Sequence, residues 1–306
     1  MIGVIASSIY KLLGINNLLP NGNFDNGLTG WTNLDGALFD TVEVVGGQLH
    51  LVANTTSSSI VHSGSTIPVE AGKMYLVSFD YNITSGSLSL VRFMQGEHSG
   101  NVTSLLGNLT AGSGTWYGGF VASLTETLSI EFYNYSGIFI DATFDNITIV
   151  EAVDYTELNV ANAANELNEA NSFAGFDSNR TDLSVDSVEL TDGSYSVKGV
   201  SATTDSNNFI RYTVGVELGS IYRISFDYKP STTNGRILII DNIEPYLGTT
   251  STPASWVAHD YISGAISTGN LQCRFYNART AATIGDYCNV DKLSIKKYIM
   301  PTNINY

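Results

Sequence analysis

Val69-Glu70-Ala71-Gly72-Lys73-Met74-Tyr75-Leu76-Val77-Ser78-Phe79-Asp80-Tyr81 returns later in the chain as Val216-Glu217-Leu218-Gly219-Ser220-Ile221-Tyr222-Arg223-Ile224-Ser225-Phe226-Asp227-Tyr228. Three further echoes keep the same order: Gly47-Gln48-Leu49-His50-Leu51 with Gly193-Ser194-Tyr195-Ser196-Val197, Phe132-Tyr133-Asn134 with Phe275-Tyr276-Asn277, and Asp145-Asn146-Ile147-Thr148-Ile149 with Asp291-Lys292-Leu293-Ser294-Ile295. The offsets run from 143 to 147 residues. A period of that size makes each repeat a whole domain and not a solenoid unit.

A chain of 306 residues divides into two domains of that size, each large enough to bury a core without disulfides or metals. Only 14% of residues are charged, while Asn, Thr, Ser, Gly, Tyr and Phe abound, a balance that favours strands and turns. Alternating runs occur at Gln48–Val52, Tyr75–Phe79, Ser87–Val91, Leu128–Phe132 and Asn146–Val150, separated by Gly, Asn, Ser and Thr clusters. The expected class is all-β: two tandem antiparallel β-sandwich (jelly-roll) domains with short N- and C-terminal arms.

The expected boundaries are an arm at 1–15, a first jelly roll at 16–152, a linker at 153–170, a second jelly roll at 171–297 and a tail at 298–306. The linker stretch Tyr155–Ala170 is rich in Ala, Asn and Glu without β alternation; its first part is read as extended and its alanines as a short helix. The tail is apolar enough to dock. Met1–Gly14 is apolar but has no positive n-region, and Lys11 and serines interrupt it, so it is read as retained sequence and not as a signal peptide. Its Ile2, Val4, Ile5, Ile9, Tyr10, Leu12 and Leu13 need a surface to bury against, either their own domain or a neighbouring subunit.

The net charge is -15, and residues 1–150 hold only Lys11, Lys73 and Arg92 against eleven acids. Such a surface repels phosphate backbones and anionic membranes, and no apolar run reaches the roughly 18 residues of a spanning helix. Two cysteines, Cys273 and Cys288, make no disulfide framework. The Phe-Tyr-Asn echo sets Cys273 opposite Ile130, in a strand whose Leu271, Cys273 and Phe275 alternate inward, so it reads as a small buried hydrophobe; a bridge to Cys288 requires neighbouring strands.

Asn17-Leu18-Leu19-Pro20-Asn21-Gly22-Asn23-Phe24-Asp25-Asn26-Gly27-Leu28-Thr29-Gly30-Trp31 resembles the opening strand of the carbohydrate-binding modules of xylanases and cellulases. Phe144–Ile149 and Tyr75–Tyr81 resemble that family's closing and central strands, so the likeness spans residues 16–151; in the second repeat the opening decays to Asn171-Ser172-Phe173-Ala174-Gly175-Phe176-Asp177, with no Trp after it. The resemblance implies a galactose-binding-like jelly roll, often with a structural calcium where first and last strands meet. By position its carboxylates would be Asp25 and Asp145, then Asp177 and Asp291. Each has the alternative of capping a turn or facing water, and no Asp-x-Asn-x-Asp-Gly loop accompanies them. Such modules hold glycans by stacking exposed aromatics on pyranose rings, and Trp31, Trp116, Tyr117, Tyr135 and Trp256 are the candidates. For Trp31 in the motif, and for Trp116 and Trp256 recurring ahead of the Phe-Tyr-Asn strand, packing is the competing role.

Catalytic chemistry is absent. His50, His62, His98 and His259 lie at no metal-ligand spacing, and neither a Gly-x-Ser-x-Gly elbow nor a phosphate loop occurs. Asp80 and Asp227 recur inside the strongest strands, where solvent exposure or hydrogen bonding explains them better than glycoside hydrolysis. The chain is therefore expected to be non-enzymatic, a structural or adhesion component of a bacteriophage virion such as a capsid decoration, head-fibre, collar or tail protein. Its expected partners are other virion proteins, itself in an oligomer, and cell-surface glycan, with neither nucleic acid nor membrane, and its place is the virion after assembly in host cytoplasm. The alternative is an extracellular, exported bacterial protein recognising a polysaccharide.

Overall fold

A computed structural model of the chain describes residues 15–34, 39–54, 57–64, 66–95, 100–158, 176–179, 181–188, 191, 196–204, 208–232, 235–240, 245–249, 255–264, 269–278 and 283–306. Among them there are strands and no helix. The chain divides into two compact units, one holding the described residues up to Asp154 with Met300–Tyr306, the other running Tyr155–Ile299.

Unit one contains β1 (Ile15–Asn16), β2 (Trp31–Asn33), β3 (Thr41–Val45), β4 (Gln48–Ala53), β5 (Ser59–Ser63), β6 (Ile67–Val69), β7 (Met74–Gln95), β8 (Gly100–Val121), β9 (Glu126–Asn134) and β10 (Ile140–Glu151). Unit two contains β11 (Thr156–Glu157), β12 (Phe176–Asn179), β13 (Thr181–Asp186), β14 (Ser196–Ser201), β15 (Asn208–Val216), β16 (Ser220–Pro230), β17 (Arg236–Ile240), β18 (Pro245–Thr249), β19 (Val257–Gly264), β20 (Gly269–Ala278) and β21 (Tyr287–Ile299). A last short strand, β22 (Ile304–Asn305), returns to unit one and pairs in parallel with β1. The expected tail therefore docks, with Tyr306 hydrogen-bonded through its hydroxyl to that of Thr148.

The quoted repeat builds the same device in both units. Gly72 (φ 81°) and Gly219 (φ 76°) take the left-handed conformation that glycine tolerates. The turns close by Lys73 N–H donating to the Glu70 carbonyl at 3.2 Å and Ser220 N–H to that of Glu217 at 3.1 Å. The buried Tyr75 and Tyr222 then reach back, each hydroxyl accepting the amide of Glu70 or Glu217 at 2.8 Å.

From this start β7 runs on as one strand, so Tyr75–Phe79 and Ser87–Val91 are two halves of a single element and not separate strands. Between Tyr75 and Gly86 it pairs with β10, and between Leu90 and Gln95 with β9, while β8 accompanies both halves. The result is two layers, β3-β4-β10-β7-β8 and β2-β5-β9-β7-β8, with β6 added beside β9. Gly86 (φ 77°) makes the corner: a Cβ there would lie 1.9 Å from the Phe139 carbonyl oxygen. Unit two has the same order, β13-β14-β21-β16-β19 and β12-β15-β20-β17-β18, with the long hairpin cut into separate strands.

Inward residues fill the space between layers. Phe79, Phe132 and Phe144 meet at ring centroid distances of 5.8, 6.1 and 4.6 Å, and Phe226 meets Phe275 at 4.8 Å in unit two. Leu271, Cys273 and Phe275 all point into that second core, as their alternation predicts. Cys288 joins them from β21 in the opposite layer, so the strands of the two thiols are not sheet neighbours and both cysteines are free. Burial pushes the Cys273 thiol up to about 12 and raises that of Cys288 as well.

One echo is corrected. Val197 opposes Val290 as Leu49 opposes Phe144, so Val197 and not Tyr195 is the counterpart of Leu49, a slip of two residues from the sequence match. A slip of two preserves which face a side chain takes, which hides it from periodicity. The linker's first residues are extended, as expected, and pair with the edge of unit two at Lys296 and Lys297; its alanine-rich part lies outside the described residues.

Two predictions follow from this packing. Tyr75→Phe and Tyr222→Phe each leave a turn amide without its acceptor and should lower unfolding free energy by about 1 kcal/mol in urea denaturation. Both thiols should stay unlabelled by a thiol reagent in native buffer and react together on unfolding; labelling of the folded chain would refute their burial.

Candidate functional site

Strand β9 alternates strictly: Leu128, Ile130 and Phe132 enter the core, which turns Ser129, Glu131 and Tyr133 to the outward face of the layer. Register aligns His62, Glu131 and Arg92 in one row across β5, β9 and β7, and Ile60, Tyr133 and Leu90 in the next. Glu131 is 0% exposed despite facing away from the core. Burying a carboxylate demands a partner, and Arg92 Nε donates to Glu131 Oε2 at 2.8 Å. The same guanidinium lies 4.7 Å from the Tyr133 ring centroid, so the face carries no net charge from this pair and an aromatic fixed beside it.

The row opens towards Tyr135, which is 51% exposed and stands edge-to-face against Tyr133 at 4.9 Å. Its backbone is held by a buried polar knot. Tyr135 N–H donates to Ser89 Oγ at 3.0 Å, that hydroxyl donates to Asn134 Oδ1 at 2.9 Å, and Asn134 Nδ2 donates to the Ile138 carbonyl at 2.6 Å. A half-exposed ring on a backbone this constrained is preorganised for stacking. Sequence reading singled out Tyr135 but missed Arg92, Glu131, His62 and Tyr133. The alternation of Leu128-Ser129-Ile130-Glu131-Phe132 already places Glu131 outward, and a carboxylate in the middle of a strong strand was the signal available.

The other aromatic candidates fall elsewhere. Trp31 is 8% exposed and packed against Phe24 at 5.3 Å and Phe132 at 6.1 Å, so it is a core residue with no face for a sugar. Trp116 opposes Phe79 on β8 and stacks on it at 5.2 Å and 22°. Its indole lies along its own strand over Gly118, whose absent Cβ would sit 2.0 Å from the ring. Tyr117, beside it, points to the opposite face and is half-buried. Trp256 is also half-buried, yet it is not the counterpart of Trp116. Phe226, the repeat of Phe79, opposes His259, which stacks on it at 5.2 Å and 27°; Trp256 precedes Val257, which opposes Tyr228. Burial lowers the His259 pKa, the nearby Asp227 charge opposing that shift, so a neutral imidazole replaces the indole. Ile2, Val4, Ile5, Ile9, Tyr10, Leu12 and Leu13 lie outside the described residues.

The four carboxylates implied for calcium do not form a fitting donor set. In unit two Asp177 lies on β12, gripped by Arg211 through two bonds of 2.7 Å, whereas Asp291 lies on β21 in the other layer and accepts the Thr191 and Lys292 amides at 2.7 and 2.8 Å. In unit one Asp25 accepts from Asn23 Nδ2 at 2.7 Å and Asp145 from the Asn146 amide at 2.7 Å. Burial raises the Asp145 pKa, with the charges of Asp80 and Asp25 adding to it. Among the described residues no group of three or more His, Cys, Asp or Glu side chains could hold a metal ion. Asp145 and Asp291 instead serve matching bulges, where Asn146 (φ 50°) and Lys292 (φ 52°) turn back to Asp80 at 2.8 Å and Asp227 at 3.3 Å. That contact, with a threonine hydroxyl on each carboxylate, accounts for the two repeated acids as hydrogen-bonded groups.

Comparison with known proteins matches residues 16–118 to the family described as carbohydrate binding domain. No curated protein matches. Solved structures similar to the chain include the N-terminal CBM22-1-CBM22-2 tandem domain from Paenibacillus barcinonensis Xyn10C, at 14% identity over 92% of this chain and 98% of that one, with a TM-score of 0.35. The second N-terminal cellulose-binding domain from Cellulomonas fimi β-1,4-glucanase C aligns at 16% identity over 46% of this chain and 97% of its own, with a TM-score of 0.38. The segment 16–118, which carries β1 to most of β8, is thus similar to a carbohydrate-binding module inside an all-β chain.

Proposed function

We propose that unit one binds a neutral glycan, without transforming it, at the exposed Tyr135 end of the outward face of β5, β9 and β7. The observation that carries this reading is Tyr135: a half-exposed ring, held from behind by Ser89 and Asn134, next to Tyr133 and a guanidinium whose charge Glu131 already balances. With His62, Ser129 and Glu131 buried, what stands open to a sugar is the Tyr135 ring with the half-buried Tyr133 and Arg92 beside it, a stacking edge that does not favour a charged ligand. The family match over residues 16–118, which takes in β5 and β7 and ends before β9 and Tyr135, supports saccharide binding by unit one. Glu131 is engaged by Arg92, which argues for a positioning role and against acid–base work.

For the setting we propose a bacteriophage particle, as a decoration, fibre, collar or tail component, with Ile2 to Leu13 as the attachment segment. The pairing of Ile15 and Asn16 with Ile304 and Asn305 fixes where this attachment segment would join unit one. Export to a bacterial surface as a polysaccharide-binding protein is the alternative, with the same glycan chemistry.

Two experiments test these readings separately. Tyr135→Ala should weaken binding of a neutral β-glucan about tenfold or more in calorimetry, as truncation of a stacking anchor does; unchanged affinity, or no neutral glycan bound by the parent chain, would sink the first proposal. Removing residues 1–14 should convert an oligomer into a monomer in light scattering while glycan affinity stays constant. A parent chain that is already monomeric and binds no particle points to the exported protein instead.

A further inference from the structure

The same face in unit two has a different charge. Register makes Arg274 the counterpart of Glu131, Arg211 that of His62, Leu238 that of Arg92 and Arg236 that of Leu90. Three of the chain's seven arginines thus gather on one face of one layer, in a molecule of net charge -15. Only Asp177 opposes them among the described residues there, and it is committed to Arg211 by the paired 2.7 Å bonds. Arg274 donates to the Gln272 side-chain oxygen at 3.1 and 2.7 Å and lies 5.1 Å from the Phe209 ring centroid, neither of which cancels its charge.

Arg211 and Arg274 stand directly opposite each other on β15 and β20. Like charges in that position destabilise a sheet, and while Arg211 is offset by Asp177, Arg274 has only the neutral Gln272 and the Phe209 ring as partners. Rule-breaking of this kind is expected where function requires it. Planar guanidinium forks match carboxylates in two-bond geometry. Phe209, beneath Arg274, and Tyr276 are both buried, so among the described residues this face presents no open ring on which a nucleobase could stack.

We propose that unit two binds an acidic saccharide, its uronate carboxylates held by Arg236 and Arg274. The proposal rests on reading these outward faces as saccharide-binding and assigns the second face a ligand class opposite in charge preference to the first.

The test uses the full chain in calorimetry with polygalacturonate, its methyl ester, a neutral β-glucan and a single-stranded oligonucleotide of similar charge. Polygalacturonate should bind, lose affinity as salt rises from about 0.05 to about 0.5 M, and bind about tenfold more weakly to Arg236→Gln and to Arg274→Gln. The methyl ester should not bind, a control on the ligand that does not depend on how the variants fold. Tyr135→Ala should leave polygalacturonate binding unchanged. Equal binding of the methyl ester, unchanged affinity in both arginine variants, or tighter binding of the oligonucleotide would overturn the proposal. Loss of neutral-glucan binding alone would count against unit one's reading and leave this one standing.

Discussion

Each unit depends on one constraint: the chain that opens the central strand must serve both layers of the sandwich. In unit one β7 does so without interruption, bending at Gly86, where the Phe139 carbonyl leaves no room for a Cβ. The first half then carries Phe79 into the core beside Phe144, and the second half lies next to β9, which carries Phe132. Unit two solves the same problem by stopping β16 at Pro230 and restarting as β17 at Arg236, so the topology survives although the strand does not. The core triad, the outward rows and the position of Arg92 all follow from where that crossing falls.

The inner faces of the units stay alike while the outward faces diverge. Inward positions are bound by volume: Phe79 and Phe226, Phe132 and Phe275, Ile130 and Cys273 occupy matching places in close-packed cores. Outward positions bear no such requirement, and there a balanced Arg92–Glu131 pair in one unit stands against an excess of arginine in the other. The half-exposed Tyr135 has Ala278 as its counterpart, so unit two carries no ring at that position. A duplicated scaffold can in this way present two chemistries at equivalent positions.

The near-matches between the repeats mark where linear alignment reaches its limit. Trp116 and Trp256 fall at similar distances before the Phe-Tyr-Asn strand, yet cross-strand register pairs Trp116 with His259 as its counterpart. Asp177 follows a decayed copy of the opening motif, yet it belongs to β12, whose partner in unit one is β2 with Trp31 to Asn33, and so it is the counterpart of Thr32 and not of Asp25. In both cases a match of residue type departs from the repeat's own offset: the 143 residues of the Phe-Tyr-Asn echo carry Trp116 to His259, and an offset inside the 143–147 range carries Thr32 to Asp177.

The sequence by itself determined the all-β class, the twofold repeat, the inward set of β9 and β20, the buried character of Cys273 and the likeness to carbohydrate-binding modules. Those features are local or periodic, and alternation with turn residues encodes them directly. Only the tertiary structure decided that β7 serves two layers, that Trp31 is core, that Asp177 and Asp291, the carboxylates the resemblance implied for calcium in unit two, lie in different layers, and which side chains share the outward rows. Each depends on register between strands far apart in the chain, such as His62 with Glu131 or Arg211 with Arg274. That register is set by the packing of the whole sandwich and leaves no mark in any short stretch of sequence.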